Sequence, residues 1–153
     1  MAGNDFGTLL RRRRQAAGLS QRSLAKLSGV HQPVISLIEA GAREASPRVR
    51  AALSSALALR PSEVLPRLRE RALTIITRRG GSDVRVFGSV ARGTDHPGSD
   101  VDLLVRLEPG RDIVDLLALE EELSDLFTFD VNVIADDSTG AVIERARREA
   151  VAL

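Results

Sequence analysis

Along the first half of the chain, apolar residues recur every three or four positions. Phe6, Leu9, Leu10 and Ala17, with arginines between them, predict a helix that Gly18 stops. Ser20 is placed to cap a two-turn helix over 21–27, which closes at Ser28-Gly29, where glycine takes a left-handed conformation without steric cost. A second short helix follows over 31–39, with Pro33 in its first turn and Gly41 beyond its end. Ser46-Pro47 opens a fourth helix through Leu57, and Pro61-Ser62 a fifth through about Arg79. From Val84 the period shortens. Val84–Phe87 alternates as a strand, Gly88-Ser89 breaks it, and 90–93 has the length of one helical turn. Ser99–Val105 predicts a second strand, apolar enough to be central in a sheet, and Leu116–Phe127 a helix. A third alternating strand is expected over Phe127–Ile134 and a terminal helix over 140–150. The order predicts an α+β chain of two modules, residues 1–66 and 67–153.

Composition narrows the choices. The chain has 153 residues, 43% hydrophobic and 28% charged, which suits a globular protein. No run reaches the roughly 18 apolar residues of a membrane span, and the basic Arg11–Arg14 start leads into no signal-like apolar core, so a cytoplasmic location is expected. There is no cysteine, and the two histidines, His31 and His96, lie far apart, so any metal chemistry falls to carboxylates. With no Trp, no Tyr and four Phe, platforms for stacking single-stranded bases are poorly supported. The net charge of +1 conceals an asymmetry: residues 1–66 carry ten Lys/Arg against four Asp/Glu, and residues 67–153 twelve against seventeen. A basic module suits nucleic acid phosphates, whereas an acidic one repels them unless cations intervene.

Two short helices joined by a glycine turn make the helix-turn-helix unit, whose second helix lies in the DNA major groove. Leu19-Ser20-Gln21, Leu24-Ala25, Ser28-Gly29-Val30, Ile35-Ser36, Ile38-Glu39 and Gly41 resemble the Cro/C1-type (XRE) helix-turn-helix family over roughly residues 5–66. The resemblance implies a five-helix domain in which Ala25, Val30, Ile35 and Ile38 join the two helices, while Gln21, His31, Gln32, Pro33 and Ser36 face double-stranded DNA. Gln32 is suited to bidentate pairing with adenine, worth about 1–3 kcal/mol of discrimination. Pro33, Val34 and Leu37 depart from the polar residues more usual there, so narrower base readout is expected. Arg11–Arg14 reads as a solvated helix face, with phosphate contact as the alternative, and His31 is open between a solvated residue and a base reader.

In the acidic module, the Gly88-Ser89 corner after a strand lets backbone N–H groups and a hydroxyl approach a phosphate. Asp100 and Asp102 stand two positions apart at the head of the second strand and therefore share a face, where their mutual repulsion beside an apolar run calls for a divalent cation. Asp130 joins that face if the third strand neighbours the second. Three carboxylates beside a phosphate-cradling corner would hold one or two Mg²⁺ ions. Glu120–Glu122 reads as a solvated helix face and His96 as a solvent-facing loop residue.

Gly88-Ser89-Val90-Ala91-Arg92-Gly93, followed after five residues by Ser99-Asp100-Val101-Asp102-Leu103, resembles the signature of the minimal nucleotidyltransferase (MNT) family in the DNA polymerase β superfamily, over about Leu68–Leu153. Together the two resemblances imply an all-α five-helix helix-turn-helix domain followed by an α/β nucleotidyltransferase domain with a small mixed sheet flanked by helices. By position, Gly88, Ser89 and Ser99 would bind ATP or another nucleoside triphosphate, Asp100 and Asp102 would ligate Mg²⁺, two ions being expected, and Asp130 would be the third acid, ligand or base. Arg92 either contacts phosphate or braces the loop. The family likeness implies an antitoxin that transfers AMP to a tyrosine of a HEPN-type toxin. This chain has no tyrosine, so such an acceptor lies on another protein. Autoregulation through a DNA operator, as a homodimer or a hetero-oligomer with the toxin, completes the expectation. The alternatives are a repressor whose second module only binds nucleotide or toxin, and a toxin that nucleotidylates tRNA.

Overall fold

A computed structural model describes residues 5–153, which divide into two compact units at Leu59/Arg60. Among these residues no helix is long and apolar enough to cross a membrane. The first unit holds α1 (Asp5–Ala16), α2 (Gln21–Ser28), α3 (Gln32–Glu39) and α4 (Pro47–Ala56). The punctuation read from the sequence is in place. The Ser20 hydroxyl accepts the Ser23 amide at 3.0 Å, Gly29 ends α2 at φ 70°, and Ser46 caps α4. Leu10, Leu24, Ile35, Ile38, Leu53 and Leu57 form the core, with Ala25, Val30 and Val34 packed against it. Gly7 lets α1 approach the end of α3, since a Cβ there would collide with the Ile38 carbonyl.

Arg14 departs from the solvated reading of its run. Its guanidinium grips Glu39 of α3 through two bonds of 2.7 and 2.8 Å and donates to the Leu19 carbonyl at 2.8 Å. The pair is internal, with side chains 11% and 2% exposed. The arginine run therefore mixes roles, because a helix face turns only some of four consecutive residues outward.

The second unit begins with α5 (Pro61–Arg78), followed by β1 (Gly81–Phe87), α6 (Gly88–Ala91), β2 (Val101–Leu107), α7 (Ile113–Phe127), β3 (Val131–Ala135), α8 (Ala141–Glu149) and β4 (Val151–Ala152). The sheet is mixed, in the order β3-β2-β1-β4: β1 runs antiparallel to β2 and β4, and β2 parallel to β3. β2 is thus central, as its apolar run requires. Val101, Leu103 and Val105 are fully buried, and a Cβ on Gly81 would strike both Ile76 of α5 and Val105, so this sheet face packs against α5. Asp102, at the alternate positions, belongs to the opposite face.

Three expectations change. The strand expected from Phe127 starts four residues later: Phe127 is the last, fully buried residue of α7, and Thr128 closes that helix at φ 64°. A short β4 follows the terminal helix and adds an edge to β1. Glu120–Glu122 is not simply a solvated face. Glu120 accepts the Val133 amide at 2.8 Å, and Glu122 pairs with Arg78, the last residue of α5, and with Arg79, which caps it. The Glu120 carboxylate thereby occupies a backbone donor of the edge strand β3. At the far end of the sheet, Asp136 is bound by Arg85, Arg147 and Arg106. Burial pulls its carboxyl upward, but hydrogen bonding to Arg147 and the charge of Arg85 hold it below the ordinary value.

Candidate functional site

The expected DNA-facing residues lie at the starts of α2 and α3. Gln21 is the first residue of α2, His31 precedes α3 and is exposed, Gln32 and Pro33 occupy its first turn, and Ser36 follows one turn on, half-buried. Gln32 and Gln21 are not independent. The Gln32 amide donates to the Gln21 carbonyl oxygen at 2.8 Å, and the Gln21 amide donates to Glu39 at 3.0 Å. The chain of contacts runs from the buried Arg14–Glu39 pair through Gln21 to Gln32 and fixes one of the Gln32 amide protons. Burial alone would raise the Glu39 pKa, but its bonds to Arg14 and Gln21 and the charges of Arg14 and Arg11 hold it below the usual carboxylate range.

In the second unit the chain leaves β1 at Phe87 and turns sharply at Gly88, whose φ is 71°. A side chain there would be strained by conformation and would also collide with Asp102 Oδ2. The glycine is required because the corner backbone lies directly against the carboxylate. Phe87 is paired with Asp102 across β1–β2, and Asp102 with Asn132 across β2–β3. The Asn132 amide donates to Asp102 Oδ1 at 3.0 Å. Asp102, half-buried, is thus held on one side by Asn132 and bounded on the other by Gly88. Asp100 is exposed two residues earlier, and Asp130 is exposed just before β3, its carbonyl accepting the Val101 amide at 2.8 Å.

The sequence expectation places three carboxylates on one face. β3 does neighbour β2, yet among the described residues no group of three or more His, Cys, Asp or Glu side chains is placed to hold a metal ion. The position level with Asp102 on β3 is Asn132. Asp102 of β2 and Asp100, just before that strand, are hard oxygen donors of the kind a divalent cation takes, and would be the residues to hold one.

The other expected residues support the corner. The Ser89 carbonyl accepts the Thr94 amide at 2.9 Å, while Ser99, buried, accepts the His96 amide through its hydroxyl at 2.9 Å and so closes the 96–99 turn. Arg92 is paired with Glu149 of α8 at 2.8 Å. His96 is exposed, as expected. Asp95, which the sequence did not single out, is 4% exposed and accepts the Ser62 amide at 2.8 Å, tying the loop between the two motif halves to the first turn of α5.

Comparison with known proteins also finds two parts, meeting within α5. Residues 5–68 match a helix-turn-helix domain, and residues 65–151 match a nucleotidyltransferase domain. The chain belongs to the nucleotidyltransferase domain family. A candidate protein adenylyltransferase of Methanocaldococcus jannaschii is 29% identical to this nucleotidyltransferase over 85 residues, 55% of this chain and 91% of the relative. A solved candidate minimal nucleotidyltransferase is 39% identical, with a TM-score of 0.54, over 60% of this chain and 95% of that one. A toxin-antitoxin structure with AMP-PNP is 22% identical, with a TM-score of 0.47, over 56% of this chain and 72% of the other. The nucleotidyltransferase thus carries a helix-turn-helix domain ahead of its transferase unit.

Proposed function

We propose that this chain is a DNA-binding, autoregulatory antitoxin that transfers AMP from ATP to a hydroxyl of a partner protein, a HEPN-type toxin, in the cytoplasm. The observation that carries the reading is the left-handed Gly88 corner lying against Asp102 of β2, with Asp100 two residues before it in the chain. The M. jannaschii relative's description supports adenylyl transfer. The absence of tyrosine in this chain directs tyrosine labelling to another protein. Exposed Ile113, Val114 and Leu117 on α7, at 65, 66 and 56%, supply apolar surface of the kind protein partners cover.

In this mechanism the Gly88-Ser89 backbone and the Ser89 hydroxyl bind the triphosphate, and Gly88 admits it because no side chain fills the corner. Asp100 and Asp102 would hold magnesium. When bound, magnesium neutralises phosphate charge and lowers the pKa of the acceptor hydroxyl. The acceptor oxygen forms a bond to the α-phosphorus as the bond to the bridging oxygen of the β-phosphate breaks, and pyrophosphate leaves. Asp130, exposed at the head of β3, receives the hydroxyl proton. Gln32, held by Gln21, reads an operator base while a homodimer or a toxin-bound oligomer aligns two half-sites.

The test incubates the purified chain with Mg²⁺, labelled ATP and the protein encoded by the adjacent gene. Label on that protein, lost in Asp100→Asn and Asp102→Asn, is the expected result. No label under conditions where the two proteins bind tightly refutes transfer and favours a repressor that only binds nucleotide or toxin. Among the described residues no third acid is grouped with Asp100 and Asp102 to hold a metal ion, and this is the observation behind that second reading.

A further inference from the structure

Asn132 stands at a position that no motif assigned. It lies level with Asp102 on the neighbouring parallel strand and donates its amide to Asp102 Oδ1 at 3.0 Å. On the other flank, the Gly88 backbone limits where Oδ2 can move. One carboxylate oxygen is therefore committed to a neutral donor, and the other is confined beside the phosphate-binding corner. We propose that Asn132 is a positioning residue that fixes Asp102 and limits the acidic face to a single divalent cation. The inference rests on the reading of Asp100 and Asp102 as metal-holding carboxylates.

The argument is one of charge and reach. Asp100 and Asp102 carry two negative charges, which one divalent ion balances. A carboxamide adds none, and with its N–H turned to Asp102 it presents a donor that repels a cation where a bridging ligand would be needed. Asp130 stands two residues further out along the strand direction, about 6–7 Å by strand rise, too far to replace a ligand level with Asp102. Substituting Asp at 132 would put a third carboxylate beside Asp102, a like-charge contact that a second cation relieves.

Mn²⁺ alone, without nucleotide, is the probe, titrated into the full chain and followed by the electron paramagnetic resonance signal of free ion. The wild type is expected to bind one Mn²⁺ per chain and Asn132→Asp two. Asn132→Ala should keep one ion but bind it about tenfold more weakly, through loss of the group that orients its ligand. A merely structural Asn132 would leave stoichiometry unmoved in Asn132→Asp, and unchanged far-UV circular dichroism and melting confirm that each variant is folded. Two ions in the wild type, or one in folded Asn132→Asp, overturns the inference while the metal-holding reading stands. If Asn132→Asp fails to fold, the Asn132→Ala affinity decides: unchanged affinity overturns the positioning role, and a loss supports it. No binding to the wild type, or binding undiminished in Asp100→Asn and Asp102→Asn, refutes the metal-holding reading itself.

Discussion

Gly88→Ala separates a required close approach from an ordinary glycine turn, because the transferase unit contains its own control. Gly88 and Gly93 have nearly the same left-handed conformation, with φ of 71° and 69°. Alanine at either position meets the same backbone penalty, about 1–2 kcal/mol. They differ in what surrounds the added carbon. Nothing lies within 4 Å of a Cβ at Gly93, whereas at Gly88 it would collide with Asp102 Oδ2. Asp102 must then rotate away, which breaks its bond from Asn132 and removes about a further 1–2 kcal/mol. The expected losses are thus about 1–2 kcal/mol for Gly93→Ala and about 2–4 kcal/mol for Gly88→Ala. At about 4–8 °C per kcal/mol for a unit of this size, the second variant should melt clearly lower. Circular dichroism melts give the stability difference, and Mn²⁺ titration well below the melting temperature gives the functional one. Gly93→Ala should retain wild-type metal affinity, and Gly88→Ala should lose it because Asp102 no longer faces the corner. Equal melting temperatures and equal affinities in the two variants would refute the close-approach reasoning.

Glu39→Gln leaves the internal Arg14 guanidinium without its ionic partner and should cost the first unit about 3–5 kcal/mol at neutral pH, measured by chemical denaturation. Because the folded-state pKa of Glu39 is depressed, its contribution is complete above the unfolded value near 4.3 and is lost as pH falls through the folded value; Glu39→Gln should flatten the first unit's stability loss in that acid window, and an unchanged acid slope would contradict this. Gln32→Ala should weaken operator binding by about 1–3 kcal/mol in a gel-shift titration, and Gln21→Ala should produce part of the same loss by releasing the Gln32 amide. Thr128→Gly should stabilise the second unit by about 1 kcal/mol in thermal melts, since it relieves a left-handed threonine whose buried hydroxyl has no partner.

Local signals carried most of the fold. The caps Ser20 and Ser46, the stop at Gly29 and the proline near the start of α3 act within a few residues, so their effects are readable in sequence order. The third strand was misjudged at its start because Phe127-Thr128-Phe129 alternates as a strand would, while Phe127 is fully buried as the last residue of α7. Glu120, Glu122, Arg14 and Asp95 were invisible for a common reason. Each charge is defined by a partner many residues away, and a run of like residues carries no mark of which member turns inward.

The same limit governs the acidic face. The spacing of Asp100 and Asp102 predicts a shared face by strand alternation, although β2 itself starts at Val101 and leaves Asp100 just ahead of it. Which residue of the third strand meets them depends on register, and a parallel pairing separated by α7 leaves no local signature of its register. Asp130 and Asn132 have the same parity, so both satisfy the alternation rule, and chemistry favours the acid. Register instead sets the carboxamide level with Asp102. A carboxylate there would bear directly on its neighbour, needing a cation between them; the amide satisfies the same oxygen with no ion at all. Asp102 is therefore oriented by a neutral donor on the neighbouring strand, with no third negative charge level with it.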